Sequence, residues 1–585
     1  MHGRRHSMLS GMKEDDIMKH PFTENGLKSQ YVRKFGPEAD PLWMGKGARR
    51  QDLPKPQILI DTTYGDSHPG SKHLNMVAEA AKNAVYASQC MPSVYTVTDI
   101  CDGVATGHPG MNYSLISREM IAGMTEIHAM ASGYDGLITS SSCDKATPGH
   151  LMAIARLNLP AIHIPGGSMA PGPGFISADS CYETNLRVSE GSMTAEEQFY
   201  VQCNACPSWG ACQYMGTAST MQCMAEALGL ALPGSAVAPA NTNILLQFAA
   251  DAGEKIAELV ARDVRPLDIL SRESFINAIK IHAAIGGSTN AVLHLPAIAK
   301  EAGIEVTHDD FETYTRDIPL LTKVLTAGTW PTQYFWYAGG IPRIMLELKD
   351  HLSLDVMTVT GYTLRENLQA LEESGYFRRA DEMMANMRMT VRDIIKSVDE
   401  PADADSGISI LKGNIARGGA VMKHCAVDKS MYVFTGRARV FDDEESAVDA
   451  IYRDVVQPGE VVVVRYVGIK AKGMPEMLKA TDAICNKPAL ALSTAIVTDG
   501  RFSGASRGPC VGYLLPEAAE GGEIGLIEDG DLIEINVYKR SVSVTGIRGK
   551  ACSPEEVDAA FAKRRVSWTP KKFERRGVLR YIDLM

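Results

Sequence analysis

Cys143-Asp144-Lys145 follows the apolar run Gly136-Leu137-Ile138-Thr139 and precedes a helix-like stretch that opens Pro148-Gly149-His150. A soft thiolate, a hard carboxylate and an amine therefore stand on three successive residues where a strand hands over to a helix. Soft and hard ligands select different metals, so this corner can bind two kinds of ion. Iron–sulfur clusters take several thiolates that converge from separate loops, and Cys101, Cys143 and Cys212 meet that condition. Cys212 lies in Gly210-Ala211-Cys212-Gln213-Tyr214-Met215-Gly216, just before the helix-like segment 217–230, where a helix N-terminus favours a thiolate. Singly, each of these is as well explained as an ordinary buried cysteine; together they favour a cluster. Cys203 and Cys206 form a Cys-x-x-Cys that would bind zinc with Cys212, but the second matched pair of a structural zinc site does not follow. Cys206 stands as an alternative third cluster ligand.

The hard donors are Asp102, Asp144 and Glu476, carboxylates in glycine-rich contexts, and oxygen-only ligation suits Mg²⁺. Lys145 is anomalous beside them, because an ammonium repels a cation; at a metal site it must be neutral or modified, for instance carbamylated. The competing reading makes Asp102 and Asp144 helix caps and Lys145 a surface ion pair. Ser503, in Thr498-Asp499-Gly500-Arg501-Phe502-Ser503-Gly504 after the apolar run 489–497, sits on a tight turn at a strand end. The nucleophile-elbow pattern of a Ser-His-Asp hydrolase is absent, and a plain turn serine is the alternative.

These residues need elements to position them. From 57 to 167 short β-rich runs alternate with helix-period segments, the pattern of a parallel sheet with crossover helices. Strands are expected at 57–62, 93–98, 136–139 and 161–164, and helices at 72–87, 113–131 and 149–157. In such sheets ligands bind beyond the carboxyl ends of the strands, and three of those loops carry the reactive residues: Asp66 and His68, then Cys101 and Asp102, then Cys143 to Lys145. A helical middle follows at about 195–371, and an acidic, Ala-rich segment 397–406 resembles a linker. Beyond it the runs 431–434, 460–467, 489–498 and 531–537 are β-rich. The fold expected is α/β: an N-terminal parallel-sheet domain with a helical middle (1–396) carrying the thiols and most carboxylates, and a C-terminal β-rich, barrel-like domain (407–585) carrying Glu476 and Ser503. The basic tail 566–585 has no assignment.

At 585 residues the chain is long enough for several domains. Hydrophobic content of 45% with aromatics at 7%, 52 Gly and 29 Pro suits an α/β enzyme. A net charge of −11 argues against a nucleic-acid surface. Residues 1–16 are charged without an apolar core and no run approaches a membrane span, so a soluble, cytoplasmic protein is expected. Twelve cysteines are too sparse for a disulfide scaffold; Cys90, Cys181, Cys223 and Cys485 are expected to be buried.

Cys101-Asp102-Gly103-Val104, Gly107-His108-Pro109-Gly110-Met111, Ser142-Cys143-Asp144-Lys145, Gly216-Thr217-Ala218-Ser219-Thr220, Gly286-Gly287-Ser288-Thr289-Asn290, Ala338-Gly339-Gly340 and the Thr498–Gly504 stretch occur in one order. With them the chain resembles, over nearly its full length, the dihydroxyacid and phosphogluconate dehydratase family, which includes the aldonate dehydratases. The resemblance implies a hydro-lyase that removes water from a 2,3-dihydroxy acid to give a 2-keto acid. It implies Cys143 and Cys212 as cluster ligands; Asp102, Asp144, Glu476 and a carbamylated Lys145 as Mg²⁺ ligands; and Ser503 as base. Two-iron members carry Pro-Cys-Asn where this chain has Pro69-Gly70-Ser71, so a four-iron cluster on Cys101, Cys143 and Cys212 is favoured, a two-iron cluster being the alternative. Cys101-Asp102-Gly103 and the Tyr334–Gly340 stretch are similar to sugar-acid members, which makes an aldonate the expected substrate. 2,3-Dihydroxyisovalerate is the second reading and 6-phosphogluconate the third. From a different class, an iron–sulfur redox sensor or electron carrier stays open. The resemblance implies a homodimer or homotetramer.

Overall fold

The computed structural model describes residues 26–181, 184–504 and 506–584; the charged segment read at 1–16 lies outside them. Four strands, β1 (Gln57–Thr62), β2 (Met91–Thr96), β3 (Gly136–Ser141) and β4 (Ala161–Pro165), form an all-parallel sheet in the order β2-β1-β3-β4. β1, β3 and β4 are buried along their whole length, as expected for strands covered on both faces. β2 begins two residues earlier than the sequence suggested. It is an edge strand, where Pro92, opposite Ile58, costs no central ladder bond.

The crossover helices follow from their apolar spacing. Leu74–Ala87 buries Leu74, Val77, Ala78, Ala81, Ala84 and Val85 on one face. It packs against Asn243–Arg262, where Gly253 allows close approach: a Cβ there would lie 2.5 Å from the Ala81 carbonyl oxygen and 2.7 Å from the Ala84 Cβ. The sheet order reverses beside β1, so the loops after β1, β2 and β3 open into one crevice. Gln222, from the helix Thr217–Ala227, pins two further loops beneath it, donating to the Ser142 and Gly167 carbonyls (both 3.3 Å) and accepting from the Gly167 N–H (2.9 Å).

The second unit is a closed eight-stranded barrel. Its strands are β5 (Ser409–Gly413), β6 (Ala416–Met422), β7 (Val433–Phe441), β8 (Glu460–Val464), β10 (Ala495–Thr498), β12 (Cys510–Leu515), β13 (Leu532–Asn536) and β14 (Ser541–Ile547), closed by the β13–β14 pairing. Outside the barrel the two-residue strands β9 (Glu476–Met477) and β11 (Arg501–Phe502) pair in parallel, setting Glu476 opposite Arg501. β15 (Lys550–Ala551) extends β14. β5 and β6 escaped the sequence reading because Gly413, Gly418 and Gly419 interrupt the apolar pattern. Gly419 has φ +103°, and the β6–β12 register slips there, as a bulge requires. The unassigned tail begins as the last residues of the helix Pro554–Ser567 and ends in a short helical turn, Gly577–Leu584, with Ile582 buried. Among the described residues no helix is long and apolar enough to cross a membrane.

One core runs through the sheet and the helical middle and takes in Met474 and Tyr513 from the C-terminal region; another fills the barrel. Within the first unit Asp61 of β1 is fully buried, 3.6 Å from His128 Nδ1. Burial raises its carboxyl to about 7, with Thr125 acting in the opposite direction. An unfolded aspartate ionises near 4, so between those pH values the unfolded chain sheds a proton that the native one keeps, and the fold loses stability as pH rises. Asp61→Asn is therefore expected to match the wild type in denaturant midpoint near pH 4 and to exceed it increasingly up to pH 7.5, by at most about 4 kcal/mol. A gap independent of pH would show that Asp61 is ionised in the native protein.

Candidate active site

The loop after β2 delivers Asp102 as the first residue of a short helix, Asp102–Ala105. The loop after β3 delivers Cys143, Asp144 and Lys145 before the helix Ala146–Leu157, and β9 brings Glu476 from the other unit. One oxygen from each of Asp102, Asp144 and Glu476 lies within 4.8 Å of the others. Lys145 Nζ stands among them, 2.8 Å from Asp102 Oδ2, 3.4 Å from Glu476 Oε1 and 3.9 Å from Asp144 Oδ2. The surface ion pair considered for Lys145 is excluded, since it is completely buried.

Arg501, equally buried, is the second cation of this cage. It pairs with Glu476 through Nη1, donates 2.9 Å bonds to Asn290 Oδ1 and Ser114 Oγ, and reaches to 3.7 Å of Asp102 Oδ2. Ser114 Oγ in turn lies 2.7 and 2.8 Å from the two Asp102 oxygens. Two buried carboxylates and the half-buried Asp144 thus face the Lys145 amine and the Arg501 guanidinium. Burial raises the carboxyls of Glu476 and Asp144 despite those cations. Burial opposes ionisation of Asp102 too, but Lys145 and Arg501 hold its carboxyl below the usual range. An added divalent cation would favour the ionised form of all three carboxylates, and an all-oxygen donor set is what Mg²⁺ prefers.

Asn290 ties this cage to Ser503. Its Nδ2 donates to Thr217 Oγ1 (2.8 Å), Glu476 Oε1 (3.0 Å) and the Phe502 carbonyl (3.3 Å), while Tyr513 OH donates to its Oδ1 at 3.1 Å. Gly504 packs on the start of the helix Thr217–Ala227, a Cβ there falling 2.6 Å from Gly216 Cα. Ser503 itself lines a small cavity with Thr289, Lys423, Phe502, Gly504, Ser506, Gly508 and Cys510.

The thiols meet beside the carboxylates. Burial raises the Cys143 thiol well above its ordinary range, with Asp99, Cys101, Asp144 and Cys212 adding to the effect. Burial likewise raises Cys212, with help from Cys101 and Asp144, and lifts Cys101 to about 11. The three thiols therefore sense one another and Asp144, and only a bound cation would stabilise them jointly as thiolates. They do not fall within one 4.8 Å group, which a many-atom cluster does not require of its ligands. His68 Nδ1 lies 3.6 Å from Cys143 Sγ, and its Nε2 3.7 Å from Asp99 Oδ2. Gly70 faces Cys143, where any Cβ would collide with Sγ.

Not every candidate joins the site. Asp66 pairs with Lys72 on the exposed surface. Cys203 and Cys206 are exposed, and among the described residues they gather no third metal ligand. Cys90 and Cys223 are buried as expected, but Cys181 and Cys485 are half-buried. Arg501, Ser114, Asp99 and Tyr513 were missed. Arg501 is adjacent to the glycine turn that drew attention to Ser503, which was its available signal; the others carried none.

Two family models divide the chain: dihydroxy-acid/6-phosphogluconate dehydratase N-terminal matches residues 55–367, and its C-terminal counterpart matches 393–584. The chain belongs to the dihydroxy-acid/6-phosphogluconate dehydratase family. A relative named dihydroxy-acid dehydratase from Caldanaerobacter subterraneus subsp. tengcongensis is 42% identical over 553 residues, covering 93% of this chain and 94% of its own. Relatives of the same name from Methanosarcina barkeri (40% identical, 94% and 96% covered) and Halothermothrix orenii (41%, 90% and 92%) agree. As a member of this dehydratase family the chain is a hydro-lyase, so the redox-carrier reading yields. The relatives also favour the dihydroxy-acid reading over the sugar-acid one.

Arg501 crosses between the two matched regions, and its loss would leave a buried carboxylate excess. Arg501→Gln is expected to lower stability by about 3–5 kcal/mol in metal-depleted protein at pH 7, read from the denaturant midpoint, with Mg²⁺ restoring part of it. A change under about 1 kcal/mol would show that the carboxylates do not depend on this cation.

Proposed function

We propose that this protein is a dihydroxy-acid dehydratase whose substrate is a short branched 2,3-dihydroxy acid such as 2,3-dihydroxyisovalerate, as in branched-chain amino acid biosynthesis. The observation that carries the reading is the juxtaposition of the Asp102, Asp144 and Glu476 carboxylates with the thiols of Cys101, Cys143 and Cys212, the carboxylates being linked by Asn290 to the Ser503 turn. The names borne by the relatives support the substrate class. In the aromatic stretch that suggests a sugar acid, Phe335 is in the main core, Trp336 donates to the Gly234 carbonyl at 2.8 Å, and Tyr334 and Tyr337 pack edge-to-face on each other.

Asp102, Asp144 and Glu476 would hold Mg²⁺, with Lys145 carbamylated to contribute oxygens in place of positive charge, and Cys101, Cys143 and Cys212 would hold an iron–sulfur cluster, four-iron rather than two-iron. When bound, the cation would supply Lewis-acid stabilisation of charge developing on the substrate carboxylate and 2-hydroxyl, and the cluster an open position for the 3-hydroxyl. The protein's own groups do the rest. Arg501 and Asn290 fix Glu476, Ser114 orients Asp102, and burial excludes water, which strengthens every one of these interactions. Ser503, as alkoxide, takes the C2 proton; the C3 hydroxyl departs, and the resulting enol tautomerises to the 2-keto acid.

The test is a keto-acid assay on anaerobically purified protein with 2,3-dihydroxyisovalerate, a panel of aldonates and 6-phosphogluconate. The expected kcat/KM for 2,3-dihydroxyisovalerate exceeds every other by at least about tenfold, the scale a dedicated pocket provides. A faster aldonate would overturn the substrate assignment. Ser503→Ala is expected to lower kcat by about 100-fold or more without changing visible absorbance.

A further inference from the structure

Ser503 is assigned a task that an isolated serine cannot perform, because its hydroxyl holds its proton far above neutral pH. The cavity it lines measures about 20 Å³, room for one water-sized group. Across that cavity stands Lys423, a buried lysine at the end of β6 that no part of the carboxylate cage accounts for. Its Nζ donates to Thr326 Oγ1 at 3.0 Å, and Thr326 Oγ1 donates to the Gly504 carbonyl at 3.4 Å. A short polar chain thus runs from the amine to the residue that follows Ser503. Among the described residues no carboxylate pairs with Lys423. The titratable groups that face it are the Cys425 thiol, the His282 imidazole and, around the cavity, the Cys510 thiol.

We propose that Lys423 is the positioning and proton-accepting partner of Ser503, forming a serine–lysine pair across the cavity. The inference rests on Ser503 being the base. The neutral amine takes the Ser503 hydroxyl proton, so the O–H bond breaks and an ammonium forms. The alkoxide then takes the C2 proton, and the C2–H electron pair becomes the C2–C3 double bond as the C3–O bond breaks. The ammonium returns its proton to the departing hydroxide, which leaves as water, and both residues regain their starting states. Burial favours the neutral amine this requires, lowering the Lys423 pKa against the opposing influence of Cys425.

The test compares wild type, Ser503→Ala, Lys423→Met, Lys423→Gln and Lys423→Arg, purified anaerobically and matched for visible absorbance. Each is assayed for kcat and KM on 2,3-dihydroxyisovalerate across pH, and for exchange of the C2 proton with D₂O. Loss of Lys423 to Met or Gln is expected to lower kcat and C2 exchange by about 100-fold or more with KM within about threefold. It should also remove a rising limb of the wild-type profile that lies below the ordinary lysine range. Arginine, which cannot accept a proton at these pH values, should not rescue.

Full activity in both Met and Gln variants, a rise in KM alone, or rescue by Arg would each overturn the proposal, the last two by assigning Lys423 to charge rather than proton transfer. If Met fails to fold, Gln decides. An active Ser503→Ala would overturn the base assignment itself, whereas an inactive Ser503→Ala beside an active Lys423→Gln would sink the pair alone.

Discussion

The Asp102, Asp144 and Glu476 carboxylates, held against the buried side chains of Lys145 and Arg501, form the constraint on which the rest of the molecule depends. Asp102, Asp144 and Lys145 come from loops of the parallel sheet, whereas Glu476 and Arg501 come from the small ladder beside the barrel. Removed from water, charges of this kind are tolerated only with partners at close range. The two units must therefore close on one another with Arg501 seated against both Glu476 and Asp102. The shared apolar core, which takes in Met474 and Tyr513, keeps that closure dry.

Around this cage the fold divides its labour by ligand type. The sheet's crevice gathers soft donors beside hard ones because the loops after β2 and β3 each carry both. The barrel contributes a rigid frame from which the Ser503 turn is presented, with Asn290 as the bridge between them. Asp102, Glu476, Lys145 and Arg501 each have an oppositely charged side chain within 4 Å, which is what allows them to be buried in one place. Two glycines permit close approaches here: Gly70 faces Cys143 and Gly504 lies on Gly216, at distances no side chain would permit.

Much of the N-terminal architecture was legible because parallel strands and crossover helices write different periods into the sequence. The runs at 57–62 and 136–139 lie on β1 and β3. The C-terminal unit was harder, since β5 and β6 carry glycine where an isolated strand would show apolar alternation; β14, with Val542 and Val544 buried between Ser541, Ser543 and Thr545, carried that signal but went unread. Closure of the barrel supplies their stability, and closure leaves no local trace. Arg501 illustrates the same limit at the site: in sequence it is one more residue in a glycine turn, and only its burial against Glu476 and Asp102 makes it structural to the cage.

The sequence alone determined which thiols, carboxylates and amines the chain carries, the strand-to-helix corners that carry them, and the family, because residue type and local order are covalent facts. The tertiary structure decided which of those residues meet. It put Asp66 on the surface and drew Glu476 to Lys145 across more than three hundred residues of chain. It also committed Phe335 to the main core and Trp336 to the Gly234 carbonyl. The physical reason is that proximity between distant residues is set by how cores fill and how buried charges find partners, and neither is encoded by any single segment.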